Sequence, residues 1–128
     1  MSDSAQSPGK EFAEALAAKD FARAAEVLDP EVDFRALTPN STWQASGPDD
    51  VVGSVLREWF EDSDEVEELL SFEAAPFADR EHIAYSLRGR NEDGPYVVEQ
   101  QAYFTARAGR IVWMRVLCSG KRPADTAS

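Results

Sequence analysis

IAYSLRGRNEDGPYVVEQQAYFTARAGRIVWMRVLC, residues 83–118, decides the fold. Runs rich in Val, Ile, Tyr and Phe are joined at Asn91-Glu92-Asp93-Gly94-Pro95 and Ala106-Arg107-Ala108-Gly109. Both joints are turn-forming clusters, so the segment reads as a strand meander. Side chains alternate across a strand. In the last run Met114, Val116 and Cys118 therefore oppose Trp113, Arg115 and Leu117. In the run before it Glu99, Gln101 and Tyr103 oppose Val98, Gln100, Ala102 and Phe104. Both faces carry large apolar groups, which predicts that one lines a core or pocket and the other meets a partner.

Upstream of the meander, Leu70, Phe72 and Ala74 alternate with Ser71 and Glu73, predicting a further strand from about Val66. The acidic run Glu61, Asp62, Asp64, Glu65, Glu67 and Glu68 lacks the spaced ligands and central glycine of an EF-hand, and reads as a solvated edge. Before it, Val52, Val55, Leu56, Trp59 and Phe60 make one apolar stripe of a helix. Ser46 or Gly47 caps that helix, Pro48 suits its first position, and Asp49 and Asp50 complement its dipole. Val32 to Leu37 reads as a strand and the stretch around Trp43 as a short extended piece. At the front, Phe12, Ala15 and Leu16 share one helical face, and Phe21, Ala24, Ala25 and Leu28 share another. Asp20 caps the second helix and Asp29-Pro30 stops it. MSDSAQSPGK, residues 1–10, and residues 122–128 are small and polar and read as disordered tails around one domain, residues 11–121.

Composition narrows the function. A chain of 128 residues suits one domain, and a net charge of −11 repels nucleic acid and anionic lipid alike. No apolar run is long enough to span a bilayer. The single cysteine, Cys118, and the polar start without signal-peptide regions predict a cytoplasmic protein. His82 is the only histidine, so no histidine cluster for a metal forms within one chain, and no metal or cofactor is expected. His82 itself reads as a surface or interface residue.

The order helix, helix, strand, short strand, helix and antiparallel meander resembles the nuclear transport factor 2-like superfamily, the SnoaL-like or ketosteroid isomerase-like cone fold. The resemblance runs from about Glu11 to Arg122 and rests on ALAAKDFARAAEVLDPEVDF, WQASGPDDVVGSVLREWF and YFTARAGRIVWMRVLCSGKRP. It implies an α+β fold in which a curved antiparallel sheet wraps an N-terminal helical hairpin and a third helix. It also implies a cavity at one end of the cone and a homodimer packed through the outer sheet face. On that pattern Glu99, Gln101 and Tyr103, with Met114, Val116 and Cys118, face the cavity. Val98, Ala102, Phe104, Trp113 and Leu117 then form a convex apolar patch that a dimer buries.

The isomerase's base and two oxyanion donors align roughly with Ala36, Phe12 and Gln101, none of which does that chemistry in full. Cyclase-type histidine motifs and an epoxide-hydrolase Arg-Asp pairing are not matched. Glu99, assisted by Gln101 and Tyr103, is the candidate acid or base, because a carboxylate facing an apolar cavity has its charged form disfavoured. Alternatively Glu99 sits at the wet rim paired to an arginine such as Arg88. The candidate ligand lining is Phe12, Phe34, Trp43, Trp59, Tyr85, Met114 and Cys118, for a small apolar or amphipathic molecule. Trp59 equally suits plain core, and a cone filled by Phe12, Phe34, Trp59 and Met114 leaves no room for substrate. Three functions remain open: a ligand-binding domain, an isomerase, cyclase or hydrolase, and a non-catalytic protein-association module.

Overall fold

The computed structural model describes residues 8–39 and 41–123. Two helices open it, α1 (Pro8–Ala18) and α2 (Phe21–Glu26), followed by strands β1 (Leu28–Thr38) and β2 (Ser41–Ser46). The third helix, α3 (residues 48–59), has α-helical turns at Pro48–Asp50 and Arg57–Trp59 around a π-helical centre, Val51–Leu56. Strands β3 (Glu65–Phe77), β4 (Arg80–Asn91), β5 (Gly94–Arg107) and β6 (Arg110–Cys118) form the meander, and β7 (Arg122–Pro123) ends it. The sheet order is β2-β1-β6-β5-β4-β3, with β7 on β5. Every pairing is antiparallel except β1 with β6, which is parallel and makes the curved sheet mixed. The α+β cone architecture is therefore present.

The helix signals hold in detail. Asp20 caps α2 by accepting from the Arg23 N–H at 3.1 Å, and Gly47 caps α3 ahead of Pro48. Three boundaries differ from expectation. The second helix stops at Glu26 and Leu28 already belongs to β1, where it pairs with Ile111. Pro30 cannot donate to a ladder, and the register breaks between Leu28 and Asp33, which is where a strand can hold a proline. At the front, Pro8, Gly9 and Lys10, expected in the tail, form the first turn of α1. Gly9 is buried there because its missing Cβ lets the helix settle on Phe104; a Cβ would stand 2.6 Å from that ring. At the other end Arg122 and Pro123 pair with Val97 and Tyr96 instead of starting a tail. The remainder of both expected tails, residues 1–7 and 124–128, lies outside the described residues.

The core lies between the helices and the inner sheet face. Phe12, Phe34, Phe104, Leu16, Ile83, Leu87, Ile111 and Met114 are fully buried there. The inner face of β5 is Tyr96, Val98, Gln100, Ala102 and Phe104, opposite to the parity expected above. Val98, Ala102 and Phe104 are thus core residues of a single chain, not a convex patch. Cross-strand pairs explain why. Phe104 faces Met114, Ala102 faces Val116 and Gln100 faces Cys118, and paired residues share a face. Trp113 and Leu117 do point outward as expected, half-buried and exposed respectively.

Gly89 of β4 marks a second close approach. A Cβ on it would lie 2.6 Å from the Glu65 carbonyl oxygen and 2.8 Å from the Tyr96 ring and hydroxyl. One obstacle is backbone, so Gly89→Ala forces β3 or Tyr96 to shift. We expect a loss of about 1–3 kcal/mol in urea unfolding, the range for overpacking, in spite of the smaller gain that alanine brings by restricting the unfolded chain.

Candidate functional site

The depth of the cone is occupied by the chain's own side chains. Phe12, Phe34 and Met114 have no exposed surface, and Phe34 packs its ring 6.2 Å from Trp59. These expected ligand contacts are core. Open space remains at the end of the cone where β1, α3 and β6 finish. A cavity of about 380 Å³ is walled there by Thr38 and Pro39, Trp59 and Phe60, Val98 and Gln100, and the run Cys118 to Lys121. Of the expected lining, Trp59 and Cys118 reach this cavity directly. Trp43 backs it, with its ring 6.1 Å from Trp59 and its N–H donating to the Thr38 hydroxyl at 2.8 Å.

A buried polar chain underlies the cavity. The Tyr85 hydroxyl donates to Gln100 Oε1 at 2.5 Å, and Gln100 Nε2 donates to Cys118 Sγ at 3.3 Å. The Gly120 N–H also donates to that sulfur, at 3.4 Å. Burial pushes the Tyr85 phenol well above its ordinary value, so it stays a donor throughout the physiological range. Gln100 therefore spends its carbonyl on Tyr85 and one amide N–H on the thiol. The Trp59 indole N–H has no such partner, although it is buried.

Behind the cavity wall lies Asp64, the charged side chain most deeply buried among the described residues, at 3 % exposure. Its Oδ2 accepts from Lys121 Nζ and from the Glu61 N–H, both at 2.8 Å. Burial opposes its charge, but the Lys121 ammonium and the Glu61 N–H outweigh that, and the carboxyl is held below its ordinary value. Lys19 adds two bonds to this loop, to the Glu61 carbonyl and, at 2.7 Å, to the Asp64 carbonyl. The Tyr96 phenol is raised by burial first and then by Asp64. The expected solvated edge thus contains one inward carboxylate. Nothing in its sequence spacing distinguishes Asp64 from its neighbours, and its partner Lys121 lies 57 residues away.

The expected catalytic group is elsewhere. Glu99, Gln101 and Tyr103 have the outward parity of β5; Glu99 and Gln101 border a separate groove together with Tyr85, Gln100 and Cys118, and none of the three lines the cavity beside Trp59. Glu99 is 63 % exposed and its nearest cation is Arg122 at 3.8 Å, while Arg88 pairs with Glu67. This is the wet-rim alternative, with a different arginine. Gln101 meets His82 Nε2 at 3.0 Å, and the Tyr103 ring packs on His82 and Phe77. Further along that face Trp113 lies between the guanidinium groups of Arg80, at 3.9 Å, and Arg115, at 4.4 Å. Leu37 and Leu117, directly paired and about half exposed, complete the face. Among the described residues no group of three or more His, Cys, Asp or Glu side chains is placed to hold a metal ion.

Comparison with solved structures identifies the fold. A candidate isomerase from Bacillus subtilis superimposes with a TM-score of 0.72 at 17 % identity, over 88 % of this chain and 84 % of that one. A candidate polyketide cyclase from Xanthomonas campestris pv. campestris gives a TM-score of 0.66 at 19 % identity, over 86 % of each chain. A hypothetical protein of ketosteroid isomerase-like fold from Catenulispora acidiphila, in complex with trimethylamine, gives 0.66 at 14 % identity, over 88 % and 85 %. No family model and no curated protein matches the sequence. The chain thus has the ketosteroid isomerase-like cone fold, the fold of the nuclear transport factor 2-like and SnoaL-like proteins. A fold of this kind hosts many chemistries, so function rests on the site.

Proposed function

We propose that the chain binds a small apolar or amphipathic molecule at the mouth of its cone. The observation that carries this reading is Trp59. Its ring forms a wall of the cavity, and its buried indole N–H lacks an acceptor. An unmet buried donor costs about 1–3 kcal/mol, which a ligand carbonyl or hydroxyl would recover. Trp59, Phe60, Val98 and Pro39 supply the apolar surface, and Gln100, Cys118 and Lys121 the few polar groups that orient a guest. Protein purified without solvent extraction should carry an additional mass in native mass spectrometry, absent from Cys118→Phe, which fills the cavity. Wild-type protein should also show saturable quenching of Trp59 by benzyl alcohol or cyclohexanone. Failure of both measurements would remove the reading.

An enzyme of the isomerase, cyclase or hydrolase type that uses Glu99 with Gln101 and Tyr103 is the less favoured reading. Glu99 and Gln101 border an open groove with Ser71, Glu73 and Ser86, where Glu99 is largely exposed, and Tyr103 lies outside it. Association as a homodimer belongs to the proposal as well, through Leu37, Leu117, Tyr103 and Trp113 on the outer face. Sedimentation equilibrium reads it directly, and a monomer at high micromolar concentration would count against it. A cytoplasmic location is proposed from the lone cysteine. No helix among the described residues is long and apolar enough to cross a membrane.

A further inference from the structure

Three buried polar side chains gather at this end of the cone: Trp59, whose Nε1 has no partner among the described residues, Asp64, and Tyr96, whose hydroxyl faces the Asp64 carboxylate. The last two flank Lys121. Its Nζ sits 2.8 Å from Asp64 Oδ2, 5.2 Å from the centre of the Tyr96 ring and 5.6 Å from that of Phe60. A buried carboxylate with two aromatic faces around one point is the chemistry that recognises an organic ammonium. The ammonium now in it is the chain's own.

We propose that Asp64, Phe60 and Tyr96 form an ammonium site which Lys121 fills as a built-in occupant and which the amine of a ligand in the mouth cavity takes over. This rests on the reading of that cavity as a ligand site and names the ligand class: a molecule with an apolar body and a protonated amine. Phe60 and Lys121 belong both to the cage and to the cavity wall, so a body lying against Trp59 and Val98 brings its amine to the place Nζ holds. Nζ engages Oδ2 of the carboxylate, on which the Tyr96 hydroxyl and the Asn91 side chain also act.

The tether of Lys121 is weak enough for exchange. It hangs on a strap whose strand β7, among the described residues, pairs through only Tyr96 with Pro123 and Val97 with Arg122. Ahead of it Gly120, at φ +80°, rests on Pro39. The Lys121 side chain is already 29 % exposed, so its ammonium moves into water over a short path. Exchange also preserves charge: Lys19, 2.7 Å from the Asp64 carbonyl, faces one cation before and after. A neutral guest gains nothing at Asp64, and leaves Lys121 where it is.

The test uses the whole protein with benzylammonium and its neutral analogue benzyl alcohol. The chain has three lysines, Lys10, Lys19 and Lys121, so carbon-13 lysine spectra resolve each one. In the wild type, saturating benzylammonium should move the Lys121 Cε signal to the free-lysine position, and benzyl alcohol should leave it in place. Lys121→Met should bind benzylammonium at least tenfold tighter than the wild type, with benzyl alcohol unchanged, and Asp64→Asn should abolish that preference. If benzyl alcohol and benzylammonium bind Lys121→Met equally and the wild-type Lys121 signal stays put, the ammonium site is wrong and the cavity reading stands. Binding of neither compound to either protein overturns both. Should Lys121→Met fail to fold, the wild-type lysine spectra decide alone.

Discussion

Replacing Phe104 with alanine lowers the unfolding free energy by about 3–5 kcal/mol, the range for a large aromatic removed from a well-packed interior. Phe104 is fully buried between α1 and the sheet, against the backbone of Gly9 and beside Met114 on the neighbouring strand. Truncation leaves a cavity that Gly9 has no side chain to fill. Urea unfolding measures the loss, and a domain of this size tolerates only one or two such changes before it unfolds. The experiment also separates two placements of β5. On an outer interface Phe104→Ala would weaken self-association and leave the stability of the protomer nearly intact. In the core it does the reverse, so unfolding at low protein concentration, combined with sedimentation, distinguishes them.

That placement turns on one residue, Val112. The turn between β5 and β6 pairs Arg107 with Arg110 and Ala106 with Ile111, and the next pair is Thr105 with Trp113. Val112 is skipped. An unbroken hairpin would pair Tyr103 with Met114, Gln101 with Val116 and Glu99 with Cys118, which is the face-sharing that the family resemblance implied. A single bulged residue shifts the register by one and exchanges the faces of β5 relative to β6. Glu99, Gln101 and Tyr103 move outside, while Val98, Ala102 and Phe104 move in. Local composition did carry a warning, since one parity holds Tyr96, Val98, Ala102 and Phe104 with Gln100 as its one amide, while the other holds Glu99 and Gln101 between Val97 and Tyr103. The element order, both helix caps and the strand joints are short-range patterns and were legible. The bulge is a compromise between two strands and is written in neither.

The site divides along the same line. Trp59 and Cys118 were placed at the cavity because the stripe of α3 and the inward parity of β6 are each properties of one element. Phe12, Phe34 and Met114 lie on inward faces as expected, and whether an inward side chain lines space or fills it depends on the volumes opposite. Asp64 and Lys121 were out of reach for a stronger reason. Each is ordinary in its own surroundings, an acid in an acidic run and a lysine in a terminal turn, and only closure of the sheet on the helices makes them a pair. Physical chemistry predicts that a carboxylate so deeply buried must have a cation, but not which of the chain's 13 basic residues supplies it.

Asp64→Asn should cost about 2–3 kcal/mol at neutral pH, somewhat less than the loss of one partner of a fully enclosed pair, because the freed Lys121 is already part exposed and can rehydrate. The amide still accepts from the Glu61 N–H, so the change isolates the charge. Its dependence on pH follows from the direction of the shift. The Asp64 carboxyl titrates lower in the folded chain than in the unfolded one. Its stabilising contribution is therefore complete above the unfolded value of about 4 and disappears as pH falls through the lower folded value. Wild type and Asp64→Asn should differ in urea midpoint at pH 7 and approach each other in acid, below pH about 3. A gap that stays constant across that window would mean that the ionised pair contributes no stability and that packing around residue 64 carries the whole effect. The same titration series separates ion pairing from ligand recognition. Acid that protonates Asp64 frees Lys121 but leaves the apolar walls of the mouth cavity in place, so a neutral guest should continue to bind where an ammonium no longer gains.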